Sequence, residues 1–187
     1  MKTDVGGKCV DKEKMAKKAM RGDTKAYGEL IHLYQEYLYS VAFLHVKNEQ
    51  TALDMVSECI IKGYENIGRL REPKYFRTWM TRILLNAIND YYRKNPVCAV
   101  YEDACLAITE SPNMGISPEE KIDLYQAVDA LPPRYKTIII LQYFENLKIS
   151  EIAFALDIPE GSVKAYSHRA KEKLRHCLLY TSPSPRD

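Results

Sequence analysis

The segment from Lys148 to Arg175, KISEIAFALDIPEGSVKAYSHRAKEKLR, constrains the fold more than any other part of the chain. It begins with a short helical pattern that is apolar on one side, breaks at Asp157-Ile158-Pro159, and continues as a second helical pattern rich in cations. This arrangement is typical of a helix-turn-helix, whose second helix enters the major groove of DNA. The segment therefore predicts a helical domain and indicates DNA as a partner.

The residues at the break and between the two helices agree with that prediction. Asp157 falls at the tight turn, and aspartate tolerates the left-handed backbone conformation better than most residues. Ala153 is expected where the two helices cross closely. The apolar side chains expected to hold the helices together are Ile152, Leu156, Ile158 and Val163.

The second helix carries candidate DNA contacts on one side. Lysine and arginine can donate to guanine acceptors, and His168 can donate to a base or a phosphate. Cations later in the helix are expected to meet phosphate, which contributes affinity without sequence information. The candidates are Ser162, Lys164, Ala165, His168, Arg169 and Lys171. The spacing alone also permits an amphipathic helix with a solvated basic face.

The composition of the whole chain narrows the remaining possibilities. A net charge of +2 means that any nucleic-acid surface must arise from local segregation of charge. The chain has no apolar window of transmembrane length and no signal-peptide core, which predicts a cytoplasmic protein without membrane insertion. The five cysteines form no CxxC pair, so neither a metal site nor a disulfide framework is expected. No cofactor is expected either.

Helical periodicity along nearly the whole chain predicts an all-α fold. Two small helical domains are expected at residues 12–95 and 118–178, joined by a flexible acidic linker at 96–117. Fully extended, that linker could span up to ~70 Å. Residues 180–187, YTSPSPRD, have the composition of a disordered tail or of a cloning or sequencing scar.

The third predicted helix, at about residues 50–67, has two contrasting faces. Its outer face is predominantly acidic, which makes DNA contact unfavourable and leaves a protein-docking surface or a merely solvated face as alternatives. The outer residues are Asp54, Glu58, Lys62 and Glu65. The apolar face expected to be buried consists of Leu53, Val56, Ile60, Tyr64 and Ile67.

The fourth predicted helix, at about residues 73–94, combines polar and aromatic features. A polar and partly cationic stripe is formed by Thr78, Arg82, Asn86, Asn89 and Arg93. Aromatic residues upstream lie beside Lys74 and Arg77, a combination that suits single-stranded nucleic acid. These aromatics are Tyr75, Phe76 and Trp79. The alternative is that Phe76 and Trp79 anchor the core, and for Trp79 the core is favoured.

Two sets of motifs together resemble one family, the group IV or extracytoplasmic-function sigma factors of bacterial RNA polymerase. AYGELIHLYQEYLYSVA, ALDMVSE, FRTWMTRI and NAINDYYRK look like the family's region 2. LPPRYKTIIILQYFENLKISEIA and IPEGSVKAYSHRAKEKLR look like its region 4. The resemblance covers residues 12–95 and 118–178. It departs from the family pattern at Leu53, where an acid is frequent, and at Ser167, where leucine is usual.

The resemblance implies a promoter-specificity subunit rather than an enzyme. Its partners would be core RNA polymerase, promoter DNA and an anti-sigma factor. On core, the clamp helices of the largest subunit would receive Asp54, Ser57 and Glu58, and the flap would receive region 4. The minus-ten element would meet Lys74, Tyr75, Arg82, Asn86, Asn89 and Arg93. The minus-thirty-five element would meet the six candidates on the last helix. The acidic linker would follow the RNA-exit path and mimic nucleic acid.

Two other classes of function remain as alternatives. The first is a stand-alone transcriptional regulator that uses only its helix-turn-helix. The second is an anti-terminator or scaffold that binds polymerase without reading promoters. An enzyme is disfavoured because the sequence has no Gly-rich phosphate loop, no metal-ligand spacing and no nucleophile arrangement that stands out.

Overall fold

Every regular element in the described part of the chain is helical. The computed structural model describes the backbone of residues 11–95 and 118–181, with side chains for 11–95 and 124–176. Its eight α-helices are α1 Lys12–Met20, α2 Thr24–Val46, α3 Glu49–Asn66, α4 Phe76–Lys94, α5 Pro118–Asp129, α6 Pro133–Ile139, α7 Ile149–Leu156 and α8 Glu160–Thr181. Short 3-10 turns at Ile67–Arg69 and Pro73–Tyr75 separate α3 from α4, and a π-helical turn at Ile140–Phe144 extends α6. The predicted all-α class is confirmed.

The chain divides into two compact units at Tyr91–Tyr92, in the last turn of α4. The expected linker lies outside the described residues, and so do residues 182–187 of the expected tail. α8 continues through Thr181, which includes the first two residues of the segment expected as a tail. Residues 162–182 contain no glycine or proline, and a helix usually ends at or before the residue that precedes a proline, here Pro183. Within the described ranges, no helix is long and apolar enough to cross a bilayer.

Side-chain caps define where the helices of the first unit begin. Asp11, Asp23 and Asn48 directly precede α1, α2 and α3, and each accepts a hydrogen bond from the backbone amide three residues later at 2.9–3.1 Å. Each cap satisfies an amide that has no partner within its own helix. The helix starts are therefore encoded locally.

The core of the first unit joins α2, α3 and α4 through close contacts. The Tyr27 hydroxyl donates to the Ile60 carbonyl at 2.7 Å, and the Tyr27 and Phe76 ring centroids lie 6.2 Å apart. Cys59 is fully buried against Met80, and burial raises the pKa of its thiol to about 12. Cys59 therefore stays a thiol at neutral pH and acts as a small apolar side chain.

The buried face of α3 is rotated from the one predicted. Leu53 and Tyr64 were expected in the core, yet they are 45% and 48% exposed. The residues that α3 buries are Ala52, Met55, Val56, Cys59 and Gly63. Gly63 explains the rotation, since a Cβ there would lie 2.6 Å from the Tyr27 hydroxyl and 2.7 Å from the Met80 sulfur. Small residues let α3 approach its neighbours, and the larger apolar residues are left on the outside.

The second unit is built around α8, which packs against α5, α6 and α7. Its most deeply buried side chains are Ile138, Ile140, Leu141, Ile152, Val163 and Ala170. In the π-helical turn after α6, the Glu145 amide donates to the Ile140 carbonyl five residues back, at 3.1 Å. This wider turn brings Gln142 and Tyr143 into contact with α8.

Candidate functional site

The helix-turn-helix predicted from the sequence is present as α7 and α8. Asp157 adopts the left-handed conformation with φ of 57°, as expected, and the Ile158 amide donates to the Ala153 carbonyl at 3.1 Å. Ile152 and Val163 are fully buried between the helices. The turn is therefore fixed by backbone hydrogen bonds and by an apolar contact, and α8 is held rigidly.

The outward side of α8 presents most of the predicted DNA contacts to solvent. Five candidates are exposed, and Ser162 is half-buried. The exposed five are Lys164, Ala165, His168, Arg169 and Lys171. His168 Nδ1 lies 3.6 Å from Glu172 Oε2, an acidic neighbour on the same face that the sequence analysis did not assign. Its spacing of four residues from His168 was the signal that could have found it.

Two side chains of the π-helical turn, Gln142 and Tyr143, contact α8. Ser167, which stands where the related family usually has leucine, is buried and lies 2.6 Å from Gln142 Oε1, to which its hydroxyl donates. The Lys171 ammonium lies 5.1 Å from the centroid of the Tyr143 ring. The departure at Ser167 therefore replaces an apolar contact with a directional hydrogen bond.

Ser167→Ala is expected to lower the free energy of unfolding of the second unit by about 1 kcal/mol, because Gln142 loses its buried donor. The chain has one tryptophan, Trp79 in α4, so fluorescence reports the first unit and circular dichroism reports both. The urea concentration at the midpoint of unfolding should fall when it is followed by circular dichroism, and it should stay unchanged when it is followed by fluorescence. Ser150→Ala removes an exposed hydroxyl from α7 and is the matched control. Equal shifts for the two variants would contradict the assigned role of the hydrogen bond.

The turn before α4 and one face of α4 carry the second group of candidates. The Lys74 ammonium lies 3.4 Å from Glu72 and 4.9 Å from the centroid of the Tyr75 ring, and both Lys74 and Tyr75 are exposed. Along α4, three further candidates are exposed and Arg82 is half-buried. The exposed three are Asn86, Asn89 and Arg93. From position 82 to 93 this face extends roughly 16 Å at the rise of an α-helix.

The predicted polar stripe is shorter at its start than expected. Thr78 is 1% exposed and does not belong to the outer face, because the start of α4 is covered by its neighbours. Phe76 is also buried, as its alternative assignment to the core predicted. Trp79 is half-buried, with its ring centroid 6.2 Å from that of Phe76. Tyr75 is therefore the one exposed ring among the three aromatics considered.

The outer face of α3 combines acids with uncovered apolar side chains. Asp54, Ser57 and Glu58 are all exposed. Glu58 pairs with Lys62 and raises its pKa by accepting a hydrogen bond, whereas Asp54 accepts a hydrogen bond from the neutral Gln50 amide at 3.1 Å. Within the described residues, Glu58 is thus paired with a cation and Asp54 with a neutral amide.

Sequence reasoning missed the apolar part of this surface. Leu53 and Tyr64 are exposed on α3, and Ile61 between them is 60% exposed. Exposed apolar groups beside charged residues are typical of a protein-binding surface. The signal was available in the sequence, since α3 has more large apolar residues than one buried face can hold.

The described residues contain no group of three or more His, Cys, Asp or Glu side chains placed to hold a metal ion. The described residues form a helical protein with a helix-turn-helix unit and a second unit that carries polar and acidic helix faces. The comparisons with known proteins specify the class further.

Family models for Sigma-70 region 2 and Sigma-70 region 4 match residues 30–96 and 121–174. The extracytoplasmic-function RNA polymerase sigma factor SigW of Bacillus subtilis is 32% identical over 180 residues, which cover 89% of this chain and 96% of SigW. RNA polymerase sigma factor SigV of the same organism is 36% identical over 143 residues, which cover 76% of this chain and 84% of SigV. The chain therefore belongs to the extracytoplasmic-function sigma factors. It is a promoter-specificity subunit of RNA polymerase and works with that enzyme and promoter DNA.

A solved structure shows the same fold. The sigma factor RpoE of Bartonella quintana, in complex with the anti-sigma factor NepR, superposes with a TM-score of 0.67 at 19% identity. The match covers 85% of this chain and all of the RpoE chain, 100%. The two-unit helical architecture is thus shared over nearly the full length of both proteins.

Proposed function

We propose that the two units of this sigma factor divide promoter recognition between them. Residues 12–95 bind core polymerase and recognise and melt the minus-ten element, and residues 118–178 read the minus-thirty-five element and dock on the flap. Residues 96–117 connect the two domains. The observation that carries this division is the presence of an exposed polar helix face in each unit, on α4 and on α8.

In the second unit, α8 enters the major groove of the minus-thirty-five element. Lys164 and Arg169 donate to base acceptors from its N-terminal half, and His168 donates to a base or a phosphate. Ser162 and Lys171 contact phosphates and set the register of the helix on the duplex. The rigid turn at Asp157 supports this task, because a fixed helix keeps its donors aligned with the base edges.

In the first unit, the turn before α4 and the face of α4 meet the minus-ten element. The exposed Tyr75 ring stacks on an unpaired base, and Lys74 beside it follows the backbone. Asn86 and Asn89 supply amides for base edges. Arg82 and Arg93 contact phosphates along the same roughly 16 Å of helix.

The outer face of α3 binds core polymerase. Asp54, Ser57 and Glu58 meet the clamp helices of the largest subunit, and the exposed side chains of Leu53, Ile61 and Tyr64 are covered on binding. The acids provide charge complementarity and the apolar groups provide buried area. This combination explains why large apolar residues are tolerated on the outside of α3.

Three finer assignments complete the proposal. The protein acts in the cytoplasm as a non-catalytic subunit. The acidic linker follows the RNA-exit path of the polymerase. An anti-sigma factor binds the free protein, by analogy with the RpoE–NepR complex.

Run-off transcription with purified core polymerase tests the proposal. Adding the protein should give promoter-dependent transcripts from fragments of its own genome, and the protein alone should bind duplex DNA weakly. No promoter-dependent transcript from any fragment would contradict the proposal. Tight, specific duplex binding without core would instead support a stand-alone regulator.

A further inference from the structure

The outward face of α1 is a basic surface to which the proposed function gives no role. Its cations are Lys14, Lys17, Lys18 and Arg21, at the spacing of one helix face and all exposed. They lie opposite Ala16 and Ala19, which are buried. We call these four cations the α1 basic face.

The charge on the α1 basic face is of one sign and mostly unpaired. Lys14 pairs with Asp11 at 3.1 Å, and within the described residues Lys17, Lys18 and Arg21 have no acidic partner. Like charges three and four residues apart repel and destabilise a helix. Glu13, four residues before Lys17, and Asp11 offset part of this repulsion, but the four cations outnumber these two acids, and the excess positive charge favours a polyanionic partner.

The position of α1 identifies which polyanion is within reach. α1 packs against both 3-10 turns between α3 and α4, and the second of these holds Lys74 and Tyr75. At its start, Lys12 lies 5.4 Å from the Tyr34 ring centroid, and Tyr34 lies 5.8 Å from Phe76, which directly follows Tyr75. α1 therefore lies directly beside the turn proposed to meet the minus-ten element, and the α1 basic face is on the solvent side of that helix.

We infer that the α1 basic face binds the phosphate backbone of promoter DNA beside the minus-ten element. This inference rests on the proposed minus-ten role of the first unit. A lysine ammonium group is a point charge on a flexible stem. It is therefore well suited to contact phosphate and less suited to distinguish base edges. The face thus adds affinity without adding sequence preference.

The test measures promoter binding by holoenzyme as a function of salt. In the triple variant Lys17→Gln, Lys18→Gln, Arg21→Gln, the slope of log K against log salt should become shallower by about 2 to 3. If the affinities are equal at about 1 M salt, binding at about 0.1 M salt is then weaker by roughly 100- to 1,000-fold. The loss should be equal for a consensus and an altered minus-ten sequence. The charge-preserving triple Lys17→Arg, Lys18→Arg, Arg21→Lys should bind like the wild type.

A single-charge control separates local contact from net charge. Lys47→Gln removes one cation from the far end of α2, roughly 35 Å along that helix from its start. Lys17→Gln should reduce the slope by about 0.7 to 0.9, and Lys47→Gln should not.

Each other outcome has a definite meaning. Unchanged affinity and slope in the triple Gln variant would overturn the inference and leave a solvated face. Weakened binding to core, with promoter affinity per holoenzyme unchanged, would overturn it in favour of a protein contact. A wild-type holoenzyme that does not distinguish promoter from scrambled DNA would overturn the proposed function, and this inference with it.

Discussion

Asp54→Arg should lower the affinity of the protein for core polymerase by about 10- to 100-fold, because a like charge placed in an interface costs up to several kcal/mol. Asp54 is exposed on α3 and its hydrogen-bond partner is the neutral Gln50, so the reversal leaves the core of the unit unchanged. Binding of labelled protein to core, followed by fluorescence anisotropy, measures the effect. Glu36→Arg reverses an exposed charge on α2 and should leave core binding unchanged.

Arg169→Ala should produce the reciprocal result. Removing a base-contacting arginine costs about 1 to 3 kcal/mol of discrimination, so promoter use should fall with little loss of core binding. Run-off transcription from a promoter with an intact minus-thirty-five element provides the measurement. Equal losses of core binding in Asp54→Arg and Arg169→Ala would refute the division of labour between the two units.

The second large effect is expected at Gly63. An added Cβ would lie 2.6–2.7 Å from the buried Tyr27 hydroxyl and Met80 sulfur, so Gly63→Ala should lower the free energy of unfolding of the first unit by about 1 to 3 kcal/mol. The higher helix propensity of alanine offsets only part of this cost. Urea unfolding followed by Trp79 fluorescence measures it.

Gly28→Ala is the matched control for Gly63→Ala. Gly28 also lies inside a helix, but nothing stands within 4 Å of an added Cβ. This substitution should stabilise the first unit by up to about 1 kcal/mol through helix propensity alone. If both substitutions change the free energy of unfolding in the same direction, the close approach of Tyr27 and Met80 to Gly63 is not the reason that α3 has glycine there.

Local signals made much of the fold predictable. Asp11, Asp23 and Asn48 mark helix starts that the backbone uses, since a capping oxygen acts over three residues and needs no tertiary information. Asp157 marks the turn of the helix-turn-helix through another local property, the tolerance of aspartate for the left-handed conformation. The exposure of Lys164 and Arg169 was also predictable. Val163 faces Ile152 of α7, and the helical period places these two cations on another side of α8.

The errors arose where small residues decide the packing. On α3, Leu53 and Tyr64 have the hydrophobicity of core residues, but Ala52, Cys59 and Gly63 allow a closer approach and are buried instead. A prediction from the hydrophobic pattern favours large apolar side chains as core residues, because it contains no information on the space that neighbouring helices leave. Thr78 was misplaced for a similar reason, because its burial depends on how other helices cover the start of α4.

The contact of Ser167 could not be predicted from the sequence either. In the family that the chain resembles, leucine is usual at this position, and leucine could not form this hydrogen bond. The hydrogen bond to Gln142 depends on a π-helical turn that no periodicity in the sequence indicates.

The uncovered side chains of Leu53, Ile61 and Tyr64 bear on the behaviour of the unassembled protein. They form an apolar surface on a chain whose net charge is only +2, so little electrostatic repulsion opposes self-association. Colloidal stability of the isolated chain should therefore be limited by α3, and co-expression with a partner that covers α3 should raise the soluble yield.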